Sequence, residues 1–230
     1  MFAESDESII MPGVPTQNGY FNSGKSPNFG KANQFATSNI PELVGRNDRT
    51  IIFVGNGMIG GYAYFKNDVV SDVGFGIYST DEGVNSYWMS HECIGHGFAS
   101  LADEYSSTPG YMGGVQGLLA AQARGKAYNM ANNVSAYEDW ARTPWKEFQD
   151  LPGYEEVGHY LGGWYEYEGV WRPEKHSVML NRDEAEYPWG KGPYYNAPSR
   201  WIIYRRIHDA AGIKYTFEDF LEYDKAYNVR

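Results

Sequence analysis

The chain has 230 residues, a length that suits one large domain, and its 42% hydrophobic content is enough to build a core. Its net charge is −10 with no offsetting cluster of Lys and Arg, which excludes a nucleic-acid binder's phosphate-neutralising stripe and disfavours anionic lipid surfaces. No apolar run approaches the ~18 residues that span a bilayer, and the single cysteine, Cys93, excludes an intrachain disulfide or a CxxC zinc knuckle.

Residues 1–30 are rich in Gly, Pro, Ser and Asn without a helical or strand period, and read as an extended arm of a single domain spanning 1–230. Met1 is followed by acidic residues rather than a basic and then apolar stretch, so no signal peptide is expected here. Ala36 to Val44 reads as a short helix interrupted at Pro41. The β-branched run Thr50 to Val54 predicts a buried strand, the glycine-rich 55–61 a sharp turn, and Tyr62 to Phe65 and Gly74 to Tyr78 two further strands. From Val84 the period becomes helical, with Val84, Tyr87, Trp88, His91 and Ile94 on one face. A second helix is expected from Val115 to Met130, carrying Leu118, Leu119 and Ala123. Residues 133–197 read mostly as loop. Pro198 and Gly212 then bracket a helix with Trp201, Ile202, Ile207 and Ala211 on its apolar side, and Phe217 to Tyr223 forms a last short helix. The fold class is α/β (α+β): a small mixed sheet packed on a central helix, followed by a loop-rich helical C-terminal half. Aromatics make up 17% of the chain without a repeating spacing, which suits the filling of a Gly-rich core.

Residues 91–105 read HECIGHGFASLADEY. His91 and His96 offer two imidazoles, the commonest nitrogen ligands of zinc, and Glu92 stands beside the first of them. Five residues of regular α-helix turn through about 500°, which leaves the two rings roughly 140° apart and unable to share an ion. A π-bulge between His91 and His96 restores the shared face, and Gly95 is a natural place for it. Hydrolytic zinc takes three protein ligands and leaves a fourth position for water. Asp103 and Glu104 both offer the third. The shorter Asp103 suits a tight return of the chain, which frees Glu104 to bond backbone amides or a ligand histidine's second nitrogen. This arrangement predicts Zn²⁺ held by His91, His96 and Asp103, with Glu92 as general base for peptide-bond hydrolysis. The partner is then a protein or peptide substrate.

HECIGHGFASLADEY, followed by GGWYEYEGVWRP, HSVM and YYNAPSRWIIYRRI in that order, resembles the IgA-peptidase family of zinc metallopeptidases, in the bacterial variant with HExxxH spacing. The resemblance covers roughly residues 35–212. It implies a metzincin-like catalytic domain with His91, His96 and Asp103 on zinc, Glu92 as base and Met179 in the Met-turn. It also implies a secreted or cell-surface bacterial setting. Ala99 stands where the family commonly has Gly, and family members carry a further strand before a point like Met1, so a trimmed domain is expected.

Other residues carry weaker signals. Cys93 reads as a small buried hydrophobe, and His159, His176 and His208 as isolated structural histidines, His176 alone lying near the Met-turn. Tyr165, Tyr167, Tyr194 and Tyr195 are each able to supply a phenol to an oxyanion. GGYAYF at 60–65 reads equally as a plain strand or as an edge for peptide β-addition. Two rival readings are a dipeptidyl-peptidase III type, whose second glutamate motif EEVGHY at 155–160 fits poorly, and a non-catalytic zinc-stabilised protein- or glycan-binding module.

Overall fold

The computed structural model describes residues 37–44, 53–54, 77–78, 87, 89–180 and 194–227. The expected arm at 1–30, the turn at 55–61, the strand at 62–65, and the helix positions Val84 and Trp88 lie outside them. Mixed α and β structure is present, as the pattern predicts. No helix among the described residues is long and apolar enough to cross a membrane. The chain divides into two compact units, Met1–Phe98 and Ala99–Arg230.

In the first unit, residues 37–39 are helical and the chain restarts as a 3-10 turn at Pro41–Leu43. Ile40, before the proline, is forced out of the helical region (φ −135°, ψ 80°), so the break falls where Pro41 dictates. β1 (Phe53–Val54) pairs in parallel with β2 (Ile77–Tyr78), Phe53 opposite Ile77 and Val54 opposite Tyr78. Residues Met89–Phe98 form a π-helix.

Near its start, the second unit has Ser100 in the left-handed region (φ 58°), followed by an irregular run. α1 (Gly114–Arg124) is shorter than expected. It ends at Gly125, where an added Cβ would lie 2.2 Å from the Cβ of Met130, and the chain continues as a 3-10 turn, Lys126–Tyr128. Leu118 and Ala121 are its buried residues, while Ala123 is exposed.

The stretch 133–197, expected to be mostly loop, contains an antiparallel hairpin of β3 (Tyr160–Gly163) and β4 (Glu166–Arg172). Its register shifts between Leu161 and Gly163, which hides the strand's alternation in the sequence. Trp164 and Tyr165 at its tip both have positive φ (53° and 68°).

α2 (Ala197–Ala211) begins at Asn196, whose Oδ1 accepts from the Ser199 amide at 2.9 Å, and stops at Gly212 in the left-handed conformation (φ 66°). Ile202 faces the core, but Ile207 and Ala211, expected on the same side, are exposed. α3 (Phe217–Tyr227) runs a turn past its expected end. Thr216 caps it reciprocally with Asp219: the Asp219 amide donates to Thr216 Oγ1 at 3.1 Å, and the Thr216 amide donates to Asp219 Oδ2 at 2.8 Å. Trp145, Phe148, Tyr154, Val157, Ala197 and Phe220 form a buried cluster in this unit, with Trp201, Tyr204 and Phe217 packed on it. Arg200 grips Asp224 through two bonds of 2.7 and 2.8 Å, tying α2 to α3.

Candidate metal centre

The π-helix answers the spacing problem in the histidine motif. Its i→i+5 hydrogen bonding turns less per residue than an α-helix, so five residues return to nearly the same face. The expected local bulge is thus a continuous π-helix over Met89–Phe98. The rings of His91 and His96 meet edge to face, 4.8 Å between centroids. His91 is buried and His96 partly so. Tyr87, one turn earlier, stacks on His91 at 5.5 Å, with its hydroxyl at a long 3.4 Å from Nδ1. Glu92 and Cys93 are both buried.

Beyond the helix, residues 102–105 are clamped from two sides. The amides of Trp164 and Tyr165 donate to the carbonyls of Asp103 (2.9 Å) and Tyr105 (3.1 Å). Asn133 brackets Ala102, its Oδ1 accepting from the Ala102 amide at 2.7 Å and its Nδ2 donating to the Ala102 carbonyl at 2.8 Å. The Glu104 amide donates to the carbonyl of Met179 at 2.8 Å. Residues 178–179 form a turn. Leu180 N–H bonds the Ser177 carbonyl, Ser177 Oγ accepts from the Met179 amide, and Met179 is fully buried.

In this irregular segment the two neighbouring carboxylates meet different partners. Asp103 Oδ2 accepts a 2.6 Å bond from the Tyr165 phenol. Glu104 is fully buried and accepts from Asn133 Nδ2 (2.9 Å), from Asn196 Nδ2 on both oxygens (2.8 and 2.9 Å), and from Ser199 Oγ (3.5 Å). These partners are side-chain amides and a hydroxyl, not the backbone amides or histidine nitrogen expected for Glu104. Burial raises its carboxyl to about 7, while the Asn133 and Asn196 amides and the charge of Arg172 pull the other way. Burial and the adjacent Asp103 carboxylate hold the Tyr165 phenol protonated well above its ordinary range.

His91, His96 and Asp103 form a group whose ligand atoms all lie within 4.8 Å of one another, a spacing that a single metal ion can bridge. Neither Glu104 nor Cys93 belongs to it. Of the four tyrosines considered, Tyr165 touches this group through Asp103, while the phenol of Tyr167 donates to the Ser107 carbonyl instead. Tyr194 and Tyr195 enter the described hydrogen bonds through their carbonyls, which accept from the Val178 amide and Arg200 Nη1. His159 packs against Trp140 and Trp145, and burial lowers its pKa. The Nδ1 of His176 is buried without a hydrogen-bond partner among the described residues.

Asn133 and Asn196, which fix Glu104, were not singled out from sequence. Asn196 lies within the NAPSRW segment, but Asn133 has no local signal because it meets Ala102 from 31 residues away. A scan against protein-family models finds none that matches the chain, and a search of curated proteins finds no match.

Proposed function

We propose that this chain is a zinc-dependent endopeptidase, a single metzincin-like catalytic domain of the IgA-peptidase type that acts on a protein or peptide substrate outside the cell. The observation that carries the reading is the convergence of His91, His96 and Asp103 on one point. Two imidazoles and one carboxylate are the three-ligand set of hydrolytic zinc sites, which keep a position open, whereas structural sites close with four ligands. When bound, zinc supplies Lewis acidity that polarises a carbonyl and acidifies water to near neutrality.

The remaining chemistry belongs to the chain. Glu92, buried beside His91 and outside the ligand group, takes the proton of the attacking water and returns it to the leaving amine. Met179 closes the floor of the turn that supports Glu104 and, through it, the Asp103 backbone. The non-helical backbone of residues 155–159 gives no second glutamate-bearing helix, which weighs against the dipeptidyl-peptidase III reading. A non-catalytic zinc module has no need of a buried glutamate beside an open ligand set.

The test combines metal analysis with cleavage of an unstructured protein substrate. Wild type should carry about one zinc per chain. Glu92→Gln should keep the metal and lose turnover, and Asp103→Ala should lose the metal. The same donor set also holds ferrous iron in oxygenases, so iron in place of zinc, or full turnover by Glu92→Gln, would sink the reading.

A further inference from the structure

We infer that Tyr165 is a positioning residue for the metal centre, its phenol fixing the Asp103 carboxylate in the orientation that binds the ion. The inference rests on the zinc reading above and adds a residue to it.

Backbone conformation, backbone bonds and ring packing together aim this ring. Tyr165 and its neighbour Trp164 both lie in the left-handed region (φ 68° and 53°), where bulky side chains are rare. The conformation is held by three backbone bonds: Trp164 N–H to Asp103, Tyr165 N–H to Tyr105, and Ser107 N–H to Tyr165. The first of these bonds holds the Asp103 carbonyl and the other two flank it, so ring and carboxylate are carried by one clamp. The ring also packs edge to face against Tyr105 (5.1 Å) and at a similar distance against Tyr111 (5.0 Å). The Tyr105 hydroxyl donates to the Tyr165 oxygen at 3.2 Å, which leaves the Tyr165 proton to donate onto Asp103 Oδ2 at 2.6 Å.

A carboxylate rotates freely unless one oxygen is pinned. With Oδ2 engaged by a phenol, rotation is fixed and the charge stays available to a cation, which is how partners of a ligand tune metal affinity. The left-handed tip places the Tyr165 hydroxyl on Asp103.

The experiment is a zinc titration against a competing chelator, with wild type, Tyr165→Phe and Tyr167→Phe compared. Wild type should bind, Tyr165→Phe should bind 10–100-fold more weakly, and Tyr167→Phe, whose phenol meets the Ser107 carbonyl, should match wild type. Cobalt(II) absorption of each loaded protein gives a second readout, with a changed ligand-field band in Tyr165→Phe and an unchanged one in Tyr167→Phe. Unaltered zinc affinity and an unaltered cobalt spectrum in Tyr165→Phe would overturn the inference while leaving the zinc site standing, even if turnover fell. Absence of zinc binding by wild type would remove the site and the inference together. Loss of binding in both phenylalanine variants alike would also overturn it.

Discussion

Residues 101–105 and the α2–α3 pair are ordered by opposite means. In the first, Leu101, Ala102, Asp103 and Glu104 are all buried, yet what aims them is a set of directional bonds from Asn133, Trp164, Tyr165, Met179 and Asn196. In the second, rings do the packing: Trp201, Phe217 and Phe220 pack on one another, and Phe217 and Phe220 also on Phe148, with the Arg200–Asp224 bridge added. Apolar contact is non-directional and tolerates adjustment, whereas a hydrogen bond to a buried carboxylate either forms or leaves a costly orphan. The ring cluster therefore supplies stability, and the polar clamp supplies aim.

Each region can be damaged separately. Phe220→Ala should cost about 3–5 kcal/mol in denaturant unfolding, with zinc affinity unchanged wherever the protein remains folded. Glu104→Gln should cost less, about 1–3 kcal/mol, because its new amide faces the Asn196 amide donor to donor. Its zinc affinity should nevertheless fall. Zinc affinity that tracked stability in both variants would erase the distinction.

The acidity of Glu104 gives a finer test. Its folded carboxyl is raised to about 7 from an ordinary 4.5, so between those values the folded state holds the proton that the unfolded state has lost. This contribution to stability is fully present below pH 4.5 and is lost as pH rises through 7. The unfolding free energy of metal-free wild type, measured relative to Glu104→Gln, should decline across that window. A rise instead would mean that the amide donors outweigh burial and hold the carboxylate ionised.

The smallest effect concerns a helix end. Thr216→Ala removes the reciprocal cap of α3 and should cost about 1 kcal/mol, measured by thermal unfolding, with no change at the metal centre. A loss of zinc affinity in this variant would show that the two regions are coupled.

How much the sequence disclosed follows the same division. The histidine pair and Asp103 were legible because they lie within one short stretch with a demanding spacing. α2 was legible because Pro198 and Gly212 are local punctuation with a fixed physical meaning. The β3–β4 hairpin was not, because glycines at 162, 163 and 169 interrupt its alternation and two left-handed aromatics form its tip. The partners of the clamp were hidden for a different reason. Tyr165 reaches Asp103 across 62 residues and Asn196 reaches Glu104 across 92, and no local pattern encodes such a meeting. The exposure of Ile207 shows the converse, an apolar residue at a helical spacing that never joins the core.

The π-helix carries one more consequence, in the arithmetic of insertion and deletion. A wider turn is the backbone's way of absorbing a surplus residue without shifting what flanks it. Removing Gly95 would shorten the interval between the two histidines from five residues to four, about 400° of ordinary α-helix, and would again set them on nearly one face. The helix thus has two self-consistent lengths that keep the pair together, and the chain uses the longer. A deletion on the far side of His96 has no such alternative, because it would pull Ser100 and its left-handed turn out of step with the clamped residues that follow.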